Sequence, residues 1–252
     1  MLADTGRIPS WLRTAAVVAA VVLFVGLVGY FLTAAGRSDT VELDQWGLHD
    51  HRDAVYYPVQ SVFDGHDPYD TAAHLDRYPV LQQFPAYTPA FLVMNVPFAL
   101  LPLSLSAFVY AMVLLVVIGA LIVLALREAR VAPQPWLVAG IAALLVASRP
   151  VSHNLLVANN GLIFALLTTV TVYWWQRRGH AAGTSLALAG GKPQFGAPLA
   201  LLMAVRRNRR PWRRTIQLSL ALSVPLLTLF IWWDGGLASF IDVIDANLAY
   251  EI

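Results

Sequence analysis

Two charged side chains stand where they could act on a substrate, Asp53 and Lys192. Asp53 opens the stretch Asp53-Ala-Val-Tyr56-Tyr57-Pro-Val-Gln-Ser-Val-Phe63. Its spacing predicts a short helix with Tyr56, Val59 and Phe63 on one side and Asp53 and Tyr57 on another. A partly shielded carboxylate there suits a general base toward a hydroxyl, a role worth roughly 10²–10⁴ in rate. Asp at a helix start is also an ordinary N-cap. Lys192 is the only lysine, and it interrupts an apolar stretch at Gly191-Lys192-Pro193-Gln194. An ionisable group at membrane depth is a functional candidate by default. Its ammonium can hold a phosphate or diphosphate as a point charge, or snorkel from a helix end.

Further candidates surround these two. Residues 36–87 hold nine of the fifteen carboxylates and four of the six histidines, among many aromatics, Pro and Gly. Within them, Asp64-Gly-His-Asp67-Pro-Tyr69-Asp70 is turn chemistry, with Gly for positive φ and Asp before Pro for an extended bend. Asp50-His51-Arg52-Asp53 offers a metal pair, at a spacing of low specificity where His and Asp are so abundant; no metal and no other cofactor is expected. Tyr69, Tyr78 and Tyr87 are suited to stack on a sugar, to frame an acceptor groove, or to anchor at the membrane interface. Arg149, His153, Asn154, Asn159 and Asn160 share a polar turn expected over Val151–Asn160, where they can add donors to a site or satisfy local backbone.

Membrane helices must position these residues. Of 252 residues, 58% are hydrophobic and 13% charged, and mean hydropathy is +0.61. A soluble fold could not bury so much apolar surface, so the expected class is an all-α, polytopic membrane protein of one transmembrane domain. Spans are expected near 15–35, 104–126, 136–148, 161–176 and 215–233, with a hairpin of two short helices at 181–205 that turns at Lys192. A broken helix at membrane depth is tolerated where it lines a cavity or is buried in protein. Pro89–Leu101 is too short to span and reads as a juxtamembrane or re-entrant helix. The absence of Cys excludes disulfides and thiolate metal sites. Arginine clusters at 127–130, 177–178 and 206–214 flank spans and read as a topology signal, not as a nucleic-acid surface. They put the N-terminus in the cytoplasm and residues 36–87 on the outer face of the cell membrane. The last residues, from Asp234, begin an outer segment with no closing helix, so a truncated chain is expected.

In order along the chain, Asp53-Ala-Val-Tyr56-Tyr57, Gly65-His-Asp67-Pro68-Tyr69, Tyr87-Thr-Pro89, Asn159-Asn160-Gly161, Gly183…Lys192-Pro193-Gln194 and Arg206-Arg207…Trp212-Arg213 resemble glycosyltransferase family 87. This is a group of polyprenyl-phosphate-sugar-dependent transferases, often mannosyltransferases, with the GT-C membrane fold. The resemblance implies a GT-C-like helical bundle whose long first extracytoplasmic loop carries short helices. It implies Asp53 as catalytic base and Lys192 near the lipid phosphate. Tyr57, Asp67, Tyr69, Tyr87, Arg149, His153, Asn159, Asn160 and Gln194 are the further candidates for substrate binding. The reaction implied is inverting transfer of a hexose from a polyprenyl-phosphate-sugar donor to a lipid or glycan acceptor. Family members usually carry Gln after the Asn-x-Gly pattern, where this chain has Leu162, and they are longer. Two other classes fit the residues: a secondary transporter, which broken helices suit, and a non-catalytic membrane assembly subunit. The spans carry almost no acids, which disfavours a proton relay and hence the transporter.

Overall fold

A computed structural model describes residues 9–37, 47–85, 87–175, 177–205 and 209–250, with the side chains of all but 203–205, 209–211 and 250. Asp39, Glu42 and Asp44 of the acidic stretch, and Arg206 and Arg207, lie outside the described residues. The described residues form twelve α-helices and one π-helical turn. Three helices are long and apolar enough to cross a bilayer: α1 (Ser10–Ala35), α5 (Leu103–Glu128), and the Trp212–Trp233 part of α11 (Arg209–Trp233). At 26 residues α1 is about 39 Å long, against a hydrocarbon core of about 30 Å.

A bent helix pair is the fourth candidate crossing. Helix α6 (Pro135–Ala147) meets α7 (Arg149–Leu156) at a bend of 80°. The polar turn expected over Val151–Asn160 is thus mostly helix. Ser148 is extended and Pro150 lies in the first turn of α7, where its missing N–H would have no helical partner anyway. Only Val157–Asn160 remains a turn, and Ala158 takes a left-handed φ of 55° there.

Helices α8 (Gly161–Trp174), α9 (Gly179–Ala189) and α10 (Pro193–Val205) follow. A three-residue connector, Gly190-Gly191-Lys192, joins α9 to α10. It is close-packed, since a Cβ at Gly196 would stand 2.5 Å from Gly190 Cα, and one at Gly191 would lie 3.4 Å from Phe91 Cα. A side chain at Gly196 would push the two short helices apart, and Gly191 already packs at contact distance on α4 (Pro89–Ala99).

In the bundle α6 packs on α1, α1 on α5, α5 on α8, α8 on α9, and α9 on α11. The region between α1 and α5 folds onto one end as the π-helical turn His51–Tyr56, α2 (Tyr57–Phe63) and α3 (Thr71–Arg77), and α12 (Leu237–Tyr250) packs against α11 and α3. An aromatic file runs under this cap. Phe84, Phe91 and Phe164 are fully buried, with Phe91 stacked on Phe164 at 5.9 Å and Phe164 on Phe195 at 5.8 Å.

Candidate functional site

Three separated motifs converge on the Lys192 ammonium. The hairpin turn presents it, and Thr88 clamps that turn by bonding to its backbone: Thr88 N–H donates to Gly191 O at 3.0 Å and Thr88 Oγ1 to Gly190 O at 3.3 Å. The side chain is only 9% exposed. Its Nζ donates to Asn160 Oδ1 at 2.8 Å and lies 5.0, 5.9 and 5.8 Å from the ring centres of Tyr87, Phe164 and Phe195. An ammonium has three donors, and among the described residues Asn160 Oδ1 is its one hydrogen-bond acceptor and no carboxylate pairs with it. Asn160 also begins α8, its carbonyl accepting from Ile163 and Phe164 N–H. The N-terminus of α8 and the ammonium thus meet at one residue, Asn160, and each favours an anion.

The turn before α8 is held from the acidic cap. Asn159 Nδ2 donates to Asp50 Oδ2 at 2.5 Å, and Asn159 Oδ1 accepts from Gly161 N–H at 2.7 Å. A glycine at 161 leaves room for these side chains, since a Cβ would stand 2.9 Å from the side-chain oxygens of both Asn154 and Asn159. Asp50 N–H adds a bond to Val157 O at 3.1 Å.

Asp53 lies one turn beyond Asp50. The helix begins upstream of it, so Asp53 is inside the π-helical turn and is not an N-cap. Pro58 supplies the local reason for the wide turn. It has no N–H and its ring crowds the carbonyl four residues back; Tyr57 N–H bonds to Arg52 O, five residues back. Such π segments are frequent at functional sites. The helix continues to Phe63, but Phe63 is 49% exposed, whereas Val59, expected on the same side, is buried.

The Asp53 carboxylate is 2% exposed. It accepts from Arg52 Nε at 2.6 Å and Nη2 at 3.3 Å, and from Leu81 N–H at 3.1 Å. Burial raises its pKa, opposed by the Arg52 bond and charge, the Leu81 amide and the His49 charge. His51 is fully buried and neutral, its pKa lowered to about 3 by burial, with Nε2 2.9 Å from Ser106 Oγ on α5. Asp50, His51, Arg52 and Asp53 each have a protein partner on one side, and among the described residues no group of three or more His, Cys, Asp or Glu side chains comes together.

The remaining candidates divide. Tyr87 lies under Lys192, and its carbonyl accepts from the Tyr69 hydroxyl. Tyr57 packs beside Tyr56 and Tyr78. Asp67 is buried; its Oδ1 accepts from Tyr69 N–H at 2.9 Å, and the Asp234 carboxyl, just past α11, is near enough to act on it electrostatically. Burial first, with Asp234 adding to it, pushes Asp67 up to about 8. Arg149, His153 and Gln194 stand exposed and are not drawn into the Lys192 cluster. Sequence reasoning missed Asp50 as a partner of Asn159, and it missed Asp234. Asp234 carried a signal, an acid directly after the Trp232-Trp233 end of a span and before two glycines.

An all-helical membrane bundle with a buried, carboxylate-free ammonium beneath an acidic cap defines the class of molecule. The sequence model of glycosyltransferase family 87 matches residues 84–249, about two thirds of the chain, and the chain belongs to that family, whose members are membrane glycosyltransferases of the GT-C type. Neither the curated proteins nor the solved structures contain a match. Tyr87, Asn159, Asn160 and Lys192 fall inside the matched residues, while Asp53, Tyr57, Asp67 and Tyr69 precede them.

Proposed function

We propose that this family 87 glycosyltransferase moves a hexose, mannose being the sugar the family resemblance implies, from a polyprenyl-phosphate-sugar donor to a lipid or glycan acceptor. The transfer inverts the anomeric carbon and takes place at the outer face of the cell membrane, with the N-terminus in the cytoplasm. The observation that carries this reading is Lys192. A buried cation without a carboxylate is unfavourable alone; a lipid-borne phosphate supplies the missing charge, and the α8 N-terminus reinforces it.

Chemically, the acceptor oxygen bonds to the anomeric carbon from the face opposite the phosphate, and its proton passes to Asp53. The bond from carbon to phosphate oxygen breaks, and its electron pair leaves with the phosphate. A phosphate leaves without needing an acid, so the site requires a base and a cation. One well-placed donor of this kind is worth about 3–4 kcal/mol of transition-state stabilisation. The raised Asp53 pKa suits a base, since proton transfer is most efficient when the pKa approaches the working pH. The Leu81 amide closes one side of the carboxylate, so the acceptor hydroxyl reaches it when that segment lifts. In this reading Tyr87, which lies against the Lys192 ammonium, contacts the donor, and the exposed Arg149, His153 and Gln194 are candidates for acceptor contacts.

Membranes bearing the full chain, supplied with a polyprenyl phosphomannose, test the reading. Sugar transfer is expected in the wild type, with a loss of about 10²-fold or more in Asp53→Asn. Equal rates in both would remove Asp53 as the base.

A further inference from the structure

Resting on the reading of Lys192 as the phosphate subsite, we infer that Asp50 is the positioning residue that holds this lysine to its phosphate, acting through Asn159 and Asn160. A lysine side chain has four rotatable bonds, and one hydrogen bond to Asn160 Oδ1 aims it. Asn160 is aimed in turn by its backbone, and that backbone is unusual. It follows Ala158, held at φ 55°, a conformation a non-glycine residue keeps only when its surroundings impose it.

Asp50 imposes it from two sides. Its N–H fixes Val157 O at 3.1 Å, and its Oδ2 takes Asn159 Nδ2 at 2.5 Å. The other end of the Asn159 amide is tied to Gly161 N–H at 2.7 Å, so this carboxamide cannot turn. The second Asp50 oxygen is 3.3 Å from His49 Nε2. Asp50 also precedes Asp53 by one turn, at the N-terminal edge of the π segment. One carboxylate therefore holds the loop that aims the cation, although it does not touch the cation itself.

A double-mutant cycle on kcat/KM for the polyprenyl phosphosugar, with full-chain protein, tests this. Lys192→Met and Asp50→Ala are each expected to lower it about tenfold or more, and the double variant to match Lys192→Met alone. A double loss equal to the product of the single losses overturns the inference, because a merely structural role multiplies. Asp50→Asn keeps an acceptor oxygen for Asn159 and is expected to restore transfer to within about threefold of wild type; an Asn variant as poor as the Ala variant also overturns it. If Asp50→Ala does not accumulate in membranes, Asn159→Ala cuts the same link from the other side and takes its place. Binding of polyprenyl monophosphate separates the two levels. Unchanged affinity in Lys192→Met defeats the phosphate reading and this inference with it. Lost affinity with multiplying rates defeats the inference alone.

Discussion

At the residue scale, burial and the neighbouring Asp234 charge hold the Asp67 carboxyl well above the usual carboxylate range. An unfolded chain ionises an aspartate near pH 4, whereas in the folded protein Asp67 keeps its proton up to about 8. Between those values the folded state holds the additional proton, so stability falls as pH rises through the window, and it is highest at the acid end. Asp67→Asn cannot ionise. Its thermal midpoint in detergent is expected to fall less than that of the wild type between about pH 5 and about pH 9. Parallel pH curves for the two proteins would show that Asp67 titrates normally. The pairing itself could not be read from sequence, since Asp67 and Asp234 come together only when the end of α11 packs beneath the loop, with Tyr69 edge-on to Phe230 at 5.7 Å.

At the scale of elements, α12 is tied to the cap by one side chain. Asn247, 1% exposed, directs Nδ2 to Tyr69 O at 3.2 Å, Thr71 Oγ1 at 3.0 Å and Phe84 O at 3.1 Å. Two hydrogens serve three acceptors, so one is shared. Asn247→Ala leaves two buried carbonyls unpaired, at about 1–3 kcal/mol. Amide exchange over residues 69–84 should then quicken while that of α5 is unchanged; uniform protection across the cap would contradict the tie.

The long helices and the short hairpin at Lys192 were legible because their signals are local: apolar runs of membrane length, and Gly-Gly-Lys-Pro between two runs too short to cross. Helix α7 was not legible. His153, Asn154 and the neighbouring polar residues read as a turn, but Pro150 after an extended Ser148 starts a helix, which then lies across the bundle end. The π-helical turn escaped for a related reason. Pro58 signals a disturbance, but a proline equally fits the first turn of an ordinary helix, and the contact of His51 with Ser106 on α5, 55 residues away, has no local signal. Lys192 itself was visible in the sequence, and its acceptor Asn160, 32 residues away, was a candidate with no indication of that pairing.

For the whole molecule, charge is divided between the two ends. Arg177 reaches Glu128 at 3.1 Å, joining the ends of α5 and α8 on the side away from the acidic cap. Spans in this arrangement favour the arginine end inside. The chain contains no cysteine, so single thiols report topology cleanly. A membrane-impermeant maleimide is expected to label Asp76→Cys on intact cells and Val131→Cys only after permeabilisation; the reverse pattern would invert the orientation.

The central claim is that the buried ammonium between Tyr87 and Asn160 is the seat of a lipid phosphate. Binding of polyprenyl monophosphate to the purified full chain, wild type against Lys192→Met, tests it most directly. The account predicts an affinity weaker by about tenfold or more in the variant, the loss expected for a charge-assisted hydrogen bond of about 1.5–3 kcal/mol, with the fold intact by thermal unfolding. Equal affinity in a folded Lys192→Met protein would contradict it.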